Sequence, residues 1–160
     1  MIEIVADKDI PYLKEVFENS KTFRLKTLPF DEINKKTLKN SQALLSRSAT
    51  ILNDELIHGT DIKFIFSLTS GEDHIDHDFL SSREIFIKTA KGANAQAVLE
   101  YTLDALSFSS EKKVGLIGEG HIGSKLKKVL SFFNYETITF DPYKFENSID
   151  QKDDVLRCPI

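Results

Sequence analysis

Apolar and polar positions along this chain change period several times, and each change marks an element. Residues 2–5 (Ile-Glu-Ile-Val) alternate with the period of two that a half-buried strand requires. Pro11 stands where an N1 proline opens a helix, with Leu13, Val16 and Phe17 on one face. Residues 23–28 predict a second strand, the lysine-rich stretch 34–40 an exposed segment, and 43–46 a short apolar strand. Residues 52–57 predict a short helix with Gly59 as its C-terminal cap. Residues 63–68 and 84–88 are two more strands, and 93–108 a long helix with Val98, Tyr101, Leu103 and Leu106 available for packing. Strands at 113–118 and 136–140 flank a helix over 124–133. Strands separated by short helical patterns predict parallel sheets with right-handed crossovers, and the last two strands should pair in parallel.

The most specific chemistry lies between those two strands. Gly118, Gly120 and Gly123 follow the first strand in G-x-G-x-x-G spacing and open the helix. Gly118 permits a tight turn, Gly120 lets backbone N–H groups approach a pyrophosphate, and Gly123 allows close helix–strand packing. The backbone N–H groups of His121 and Ile122 lie at the helix N-terminus, which favours negative charge. Asp141 ends the second strand, 18 residues after Gly123, where an acid accepting both ribose hydroxyls is expected. Together these features predict dinucleotide binding.

Composition sets limits on the rest. The 160 residues allow one or two small domains, and 41% hydrophobic with 29% charged residues is a globular balance. A net charge of −4 gives no general attraction to nucleic acid or anionic membranes. The apolar runs are too short to span a bilayer. The charges among residues 1–20 (Glu3, Asp7, Lys8, Asp9) do not fit a signal peptide. Cys158, the one cysteine, excludes an internal disulfide and suits a reducing, cytoplasmic setting.

Five segments, in order, resemble the D-2-hydroxyacid dehydrogenases: Ile4-Val-Ala-Asp-Lys-Asp-Ile-Pro-Tyr12, Ala43-Leu-Leu-Ser-Arg-Ser-Ala-Thr50, Lys63-Phe-Ile-Phe-Ser-Leu-Thr-Ser-Gly-Glu-Asp-His-Ile-Asp76, Lys91-Gly-Ala-Asn-Ala-Gln-Ala-Val-Leu-Glu-Tyr101 and the glycine motif. The resemblance implies an α/β fold, a flavodoxin-like substrate lobe joined by a long helix to an incomplete Rossmann (NAD-binding) unit. Residues 1–92 would form the substrate lobe, 93–110 a hinge helix and linker, 111–143 a partial NAD-binding βαβ unit and 144–160 a polar tail. It further implies that Ser48 and Thr69 contact a phosphorylated 2-hydroxy acid, with Asn94 facing the cleft. Gly118, Gly120, His121, Ile122, Gly123 and Asp141 would hold NAD. The family's catalytic arginine, glutamate and histidine would lie beyond Ile160, and Arg157 matches none of them. The chain alone is therefore expected to be inactive. Phe66 replaces a small residue, and Lys91 a proline, of the family pattern.

Other residues carry competing readings. Ser48 and Thr69 could simply cap turns, and Arg47 could hold a phosphate or lie solvated. His74, Asp76, His77 and Asp78 invite a metal, but acids at a helix start explain them better. Phe64, Phe66, Phe79 and Phe86 read as core. A second functional class remains open: a non-catalytic binding or partner module that retains the substrate lobe and a partial nucleotide site. In the enzyme reading, the partner would be a second copy or a missing C-terminal polypeptide carrying the arginine, glutamate and histidine. Genomic context would separate the two.

Overall fold

The computed structural model describes residues 1–144; Arg157, Cys158 and the polar tail beyond Lys144 lie outside the described residues. The chain divides into two compact units, one of Met1–Lys91 and one beginning at Gly92.

In the first unit, β1 (Ile2–Asp7), β2 (Phe23–Leu28), β3 (Ala43–Ser46), β4 (Phe64–Ser67) and β5 (Phe86–Thr89) form one sheet in the order β2-β1-β3-β4-β5. Every neighbouring pair is parallel. This is the flavodoxin-like order, in which crossovers on either side of β1 reverse direction between β1 and β3. The connections carry short helices: α1 (Leu13–Phe17), α2 (Lys35–Leu38), α3 (Asp54–Ile57) and α4 (His77–Ser82). Alternation along the strands separates two cores. Val5, Leu44 and Ile65 point to one face and pack with Leu38, Leu52, Ile57 and Leu80. Ala6, Leu25 and Leu45 point to the other, beneath Ile10, Leu13 and Phe17.

Several local expectations change. Residues 34–40 are not merely an exposed stretch. Asn34 caps α2 by accepting the N–H groups of Lys36 and Thr37, while the Thr37 hydroxyl accepts the Asn34 N–H. That reciprocal cap stabilises a helix of four residues, and it buries Leu38 completely. Pro11 does not open α1 as N1, because the chain turns through Tyr12 at φ 62° and the helix begins at Leu13. Leu52 precedes α3, forming a bridge with Ile75, and Asn53 caps the helix by accepting the Leu56 N–H. Glu84, at φ 54°, turns the chain ahead of β5. Phe64 and Phe86 are exposed, with Phe66 and Phe79 half-buried. Phe64 and Phe66 alternate with the core residue Ile65, so they lie on the second face, outside the cluster formed by Ala6, Ile10 and Leu13.

The second unit holds α5 (Ala95–Ser107), β6 (Lys113–Ile117), α6 (His121–Phe132) and β7 (Glu136–Phe140). β6 and β7 pair in parallel as a two-stranded sheet, Val114 opposite Thr137 and Ile117 opposite Phe140. Leu99 of α5 packs with Leu116, Leu126 and Leu130, while Leu103, Leu106 and Val129 fill in around them. Buried Ala95 and Leu99 and half-buried Leu103 and Leu106 form the inward stripe, so Tyr101 falls outside it and is exposed. Among the described residues no helix is long and apolar enough to cross a membrane.

Candidate functional site

The first candidate is the strand-to-helix turn of the second unit. The chain leaves β6 at Ile117, and Gly118 takes φ +90°, a conformation that side chains rarely adopt. Its N–H donates to the Phe140 carbonyl at 2.8 Å, so the turn is tied to the end of β7. α6 starts at His121 with Gly120 as its cap, three residues earlier than the apolar pattern suggested. A Cβ at Gly123 would stand 2.0 Å from the Gly118 carbonyl oxygen, so the helix lies directly on the turn. A Cβ at Gly120 would meet nothing within 4 Å. The three glycines thus answer three separate needs: a positive φ, open space and backbone contact.

A helix's first N–H groups have no intrahelical acceptors, and here His121, Ile122 and Gly123 supply them beside that open space. Asp141 follows β7 and is buried. Its Oδ2 accepts the Glu119 N–H at 2.7 Å and its Oδ1 the Tyr143 N–H at 3.0 Å. Those two backbone donors, Glu119 first, hold its carboxyl below the ordinary aspartate range, with the Lys144 charge adding to the effect. A carboxylate has about four lone-pair positions, so two backbone donors leave room for two hydroxyl donors. Lys144 Nζ donates to the Glu119 carbonyl, and Lys127 pairs with the Glu119 carboxylate at 3.1 Å. The arrangement suits an anion at the helix start and a diol at Asp141.

The second candidate is the C-terminal edge of the five-stranded sheet, where open parallel sheets receive ligands. Ser46 stands opposite Ser67 in the β3–β4 register. Ser48 and Thr69 each lie two residues beyond these partners, so the parallel pairing brings both to one edge. Ser48 is exposed in a turn and Thr69 is half-buried. Ser67, fully buried, lies 3.1 Å from the Thr69 hydroxyl and 2.9 Å from His74 Nε2. Burial holds His74 below the ordinary imidazole value, against the charges of Asp73 and Glu72.

Arg47 is not simply solvated, because two carboxylates hold it. Its Nε donates to Asp7 Oδ2 at 2.8 Å and its Nη2 to Asp9 Oδ2 at 2.8 Å. The hydrogen bond to Asp7, a fully buried carboxylate, is the leading cause that raises its pKa. This pair joins the ends of β1 and β3, at the point where the crossovers reverse. The four metal candidates do not converge either. His74 faces Ser67, Asp76 caps α4 by accepting the Phe79 N–H at 3.0 Å, and His77 approaches Glu72 at 3.5 Å. Among the described residues no three His, Cys, Asp or Glu groups form a metal-binding cluster. Asn94 precedes α5 without a side-chain capping bond and is exposed. A hollow of about 720 Å³ lined by Ile33, Asn34, Ile51, Asn53, Leu56 and His58 includes neither Ser48 nor Thr69.

The sequence reading missed Ser67 and Glu72. Glu72 accepts the Thr89 hydroxyl at 3.0 Å, which is the leading cause of its lowered pKa. The strand end at Ser67 and the histidine seven residues on were the available signs.

Comparison with known proteins bears on family and fold. The family described as D-isomer specific 2-hydroxyacid dehydrogenase, catalytic domain, matches residues 1–141. The chain is similar to the erythronate-4-phosphate dehydrogenase of Hahella chejuensis, with 38% identity over 99% of this chain and 44% of the relative. It is 35% identical to that of Saccharophagus degradans over 89% of this chain and 40% of the relative. The chain therefore spans less than half the length of these relatives. Among solved structures, NAD+-bound 3-phosphoglycerate dehydrogenase of Entamoeba histolytica superposes with a TM-score of 0.66 at 19% identity, covering 92% of this chain and 56% of that one. At that identity the likeness speaks for the fold.

Proposed function

We propose, from the premise that this chain belongs to the D-isomer specific 2-hydroxyacid dehydrogenase family, that it serves NAD-dependent oxidation of a phosphorylated 2-hydroxy acid. Its relatives' names point to erythronate 4-phosphate as that substrate, and through it to pyridoxal phosphate synthesis. The observation that carries the reading is the glycine turn: Gly123 seated on the Gly118 carbonyl, open space at Gly120, and Asp141 tied back to Glu119. These residues fit a dinucleotide. The N–H groups of His121, Ile122 and Gly123 would face its pyrophosphate, and Asp141 would accept the hydroxyls of the adenosine ribose. NAD, when bound, accepts a hydride from the carbon bearing the substrate hydroxyl. Ser48 and Thr69 would donate to the anionic groups of the substrate, holding it by its polar ends.

No residue of this chain is assigned to abstract the hydroxyl proton. The family's arginine, glutamate and histidine have no matching segment here. Loss of a general base alone costs about 10²- to 10⁴-fold, so this chain alone should bind without turning over. Calorimetric titration with NAD and NADP is the direct test. NAD should bind more tightly, because Asp141 repels a 2′-phosphate. Tighter NADP binding would remove Asp141 from the ribose site. A Gly120→Val variant should fold yet lose at least tenfold in NAD affinity; equal affinity would empty the turn of its proposed role. Erythronate 4-phosphate and NAD should give no NADH with this chain alone. Turnover on adding a separate C-terminal polypeptide would identify it as half of an enzyme.

A further inference from the structure

The edge of the first sheet holds a short relay that the sequence did not disclose. His74 Nε2, Ser67 Oγ and Thr69 Oγ1 stand in line at 2.9 and 3.1 Å. The middle hydroxyl is fully buried, so no bulk water can substitute for either neighbour. Each hydroxyl has one hydrogen to give. Once Ser67 gives its hydrogen to one neighbour, it can only accept from the other.

Resting on the reading of Thr69 as a substrate contact, we propose that His74 is a positioning residue that aims the Thr69 hydroxyl at an anionic ligand by keeping a hydrogen on Nε2. When Thr69 donates outward to a carboxylate or phosphate oxygen, its own oxygen must accept from Ser67. Ser67 has then spent its hydrogen and shows His74 only a lone pair. A bare Nε2 would leave two lone pairs facing each other at 2.9 Å, whereas an Nε2–H completes the line. In the opposite polarity, Nε2 accepts from Ser67, Ser67 accepts from Thr69, and the Thr69 hydrogen points into the protein.

The surroundings favour a neutral ring that chooses between tautomers. Burial disfavours the imidazolium, while Asp73 and Glu72, on the same loop, pull the other way. Glu72 is itself engaged by the Thr89 hydroxyl and lies near His77 and Lys91, at 3.5 and 3.9 Å. The β4 end contributes only Ser67, Leu68 and Thr69, none of them ionisable in this range. An anion at Thr69 thus selects the Nε2–H form without a charged group having to be buried.

The experiment is nitrogen-15 NMR of the histidine rings in the full chain, titrated separately with erythronate 4-phosphate and with inorganic phosphate. The expected result is a His74 Nε2 that carries its hydrogen in the complex. Ser67→Ala should still bind but about tenfold more weakly, with a His74 signal that no longer responds. His74→Gln, whose amide can donate from the same place, should keep affinity within about threefold, whereas His74→Phe should lose about tenfold. Binding with Nε2 unprotonated, or a Ser67→Ala chain that binds as the wild type does, overturns the relay and leaves the substrate site standing. Binding that Thr69→Val does not weaken removes Thr69 from the site, and the relay with it. No binding of either anion by the wild type also removes both. A response to phosphate alone would keep the relay and make its ligand a free phosphate group.

Discussion

The two units are built from the same strand–helix–strand grammar, yet they bury their strands to different degrees. In the first, β1, β3 and β4 are interior to a five-stranded sheet, and Val5, Leu44 and Ile65 are at most 1% exposed. In the second, β6 and β7 pair only with each other among the described residues, and α5 and α6 supply one apolar layer. Ile117 and Phe132 remain 68% and 81% exposed. Parallel sheets are ordinarily covered on both faces, and a two-stranded sheet is marginal without packing partners. The difference teaches that a local motif can set a turn's geometry without supplying a full core. The glycine turn is well formed in the thinner of the two units.

The sharpest way to break this comparison is to make the same cut in both cores. Leu44→Ala should cost about 3–5 kcal/mol and Leu130→Ala about 2–4 kcal/mol, although both side chains are fully buried. The thinner core has more freedom to collapse around the gap. Urea titration, with hydrogen exchange at β3 and β6 as a local readout, measures both. Equal costs and equal protection would show that the second core is as well packed as the first.

Next in size come the glycines. Gly123→Ala must move either α6 or the turn and should cost about 2 kcal/mol or more, because its new methyl would meet backbone at 2.0 Å. Gly118→Ala has space but pays for its positive φ, about 1–2 kcal/mol. Gly120→Ala has neither problem and should stay within about 1 kcal/mol. Thermal unfolding orders the three. A Gly120 variant as damaged as the Gly123 variant would deny that Gly120 is reserved for a ligand.

A smaller effect concerns surface. The exposed rings of Phe132 and Phe133 sit 5.3 Å apart, edge to face, at the end of α6. With the edges of β6 and β7 that pair with no further strand among the described residues, they should drive weak self-association. Sedimentation at several concentrations should show it, and Phe132→Glu should reduce it severalfold. Monomers at every concentration would show that this surface is quiet.

How much of this was legible in the sequence depends on the range of the interaction. The glycine turn is local, so Gly118, Gly123 and the parallel pairing of 113–117 with 136–140 could be read directly. The order of elements followed from their alternating periods for the same reason. Leu38 was hidden because one apolar residue among lysines shows no period. Its helix rests on the Asn34–Thr37 exchange of bonds rather than on a stripe. Arg47 was open to two readings because its partners, Asp7 and Asp9, lie about 40 residues upstream. Phe64 and Phe86 look like core by composition. The register sets them side by side on the face opposite Ile65, their rings 6.3 Å apart and exposed.

Asp141 shows the same limit at a site residue, and it yields the smallest predicted effect. Its place after β7 was legible, but its tie to the Glu119 and Tyr143 N–H groups was not. Those bonds favour the ionised form and lower its pKa in the folded chain. The unfolded chain then binds the proton more readily, so the contribution is fully present above the ordinary aspartate pKa. It is lost as pH falls through that value toward the lower folded one. Acid unfolding of the second unit, followed by the Tyr135 and Tyr143 signals, should steepen in that window for the wild type. Asp141→Asn keeps an acceptor oxygen and cannot titrate, so it should flatten the profile there while leaving the unit folded at neutral pH. An unchanged profile would mean that the carboxylate adds nothing to folding and is held for a ligand alone.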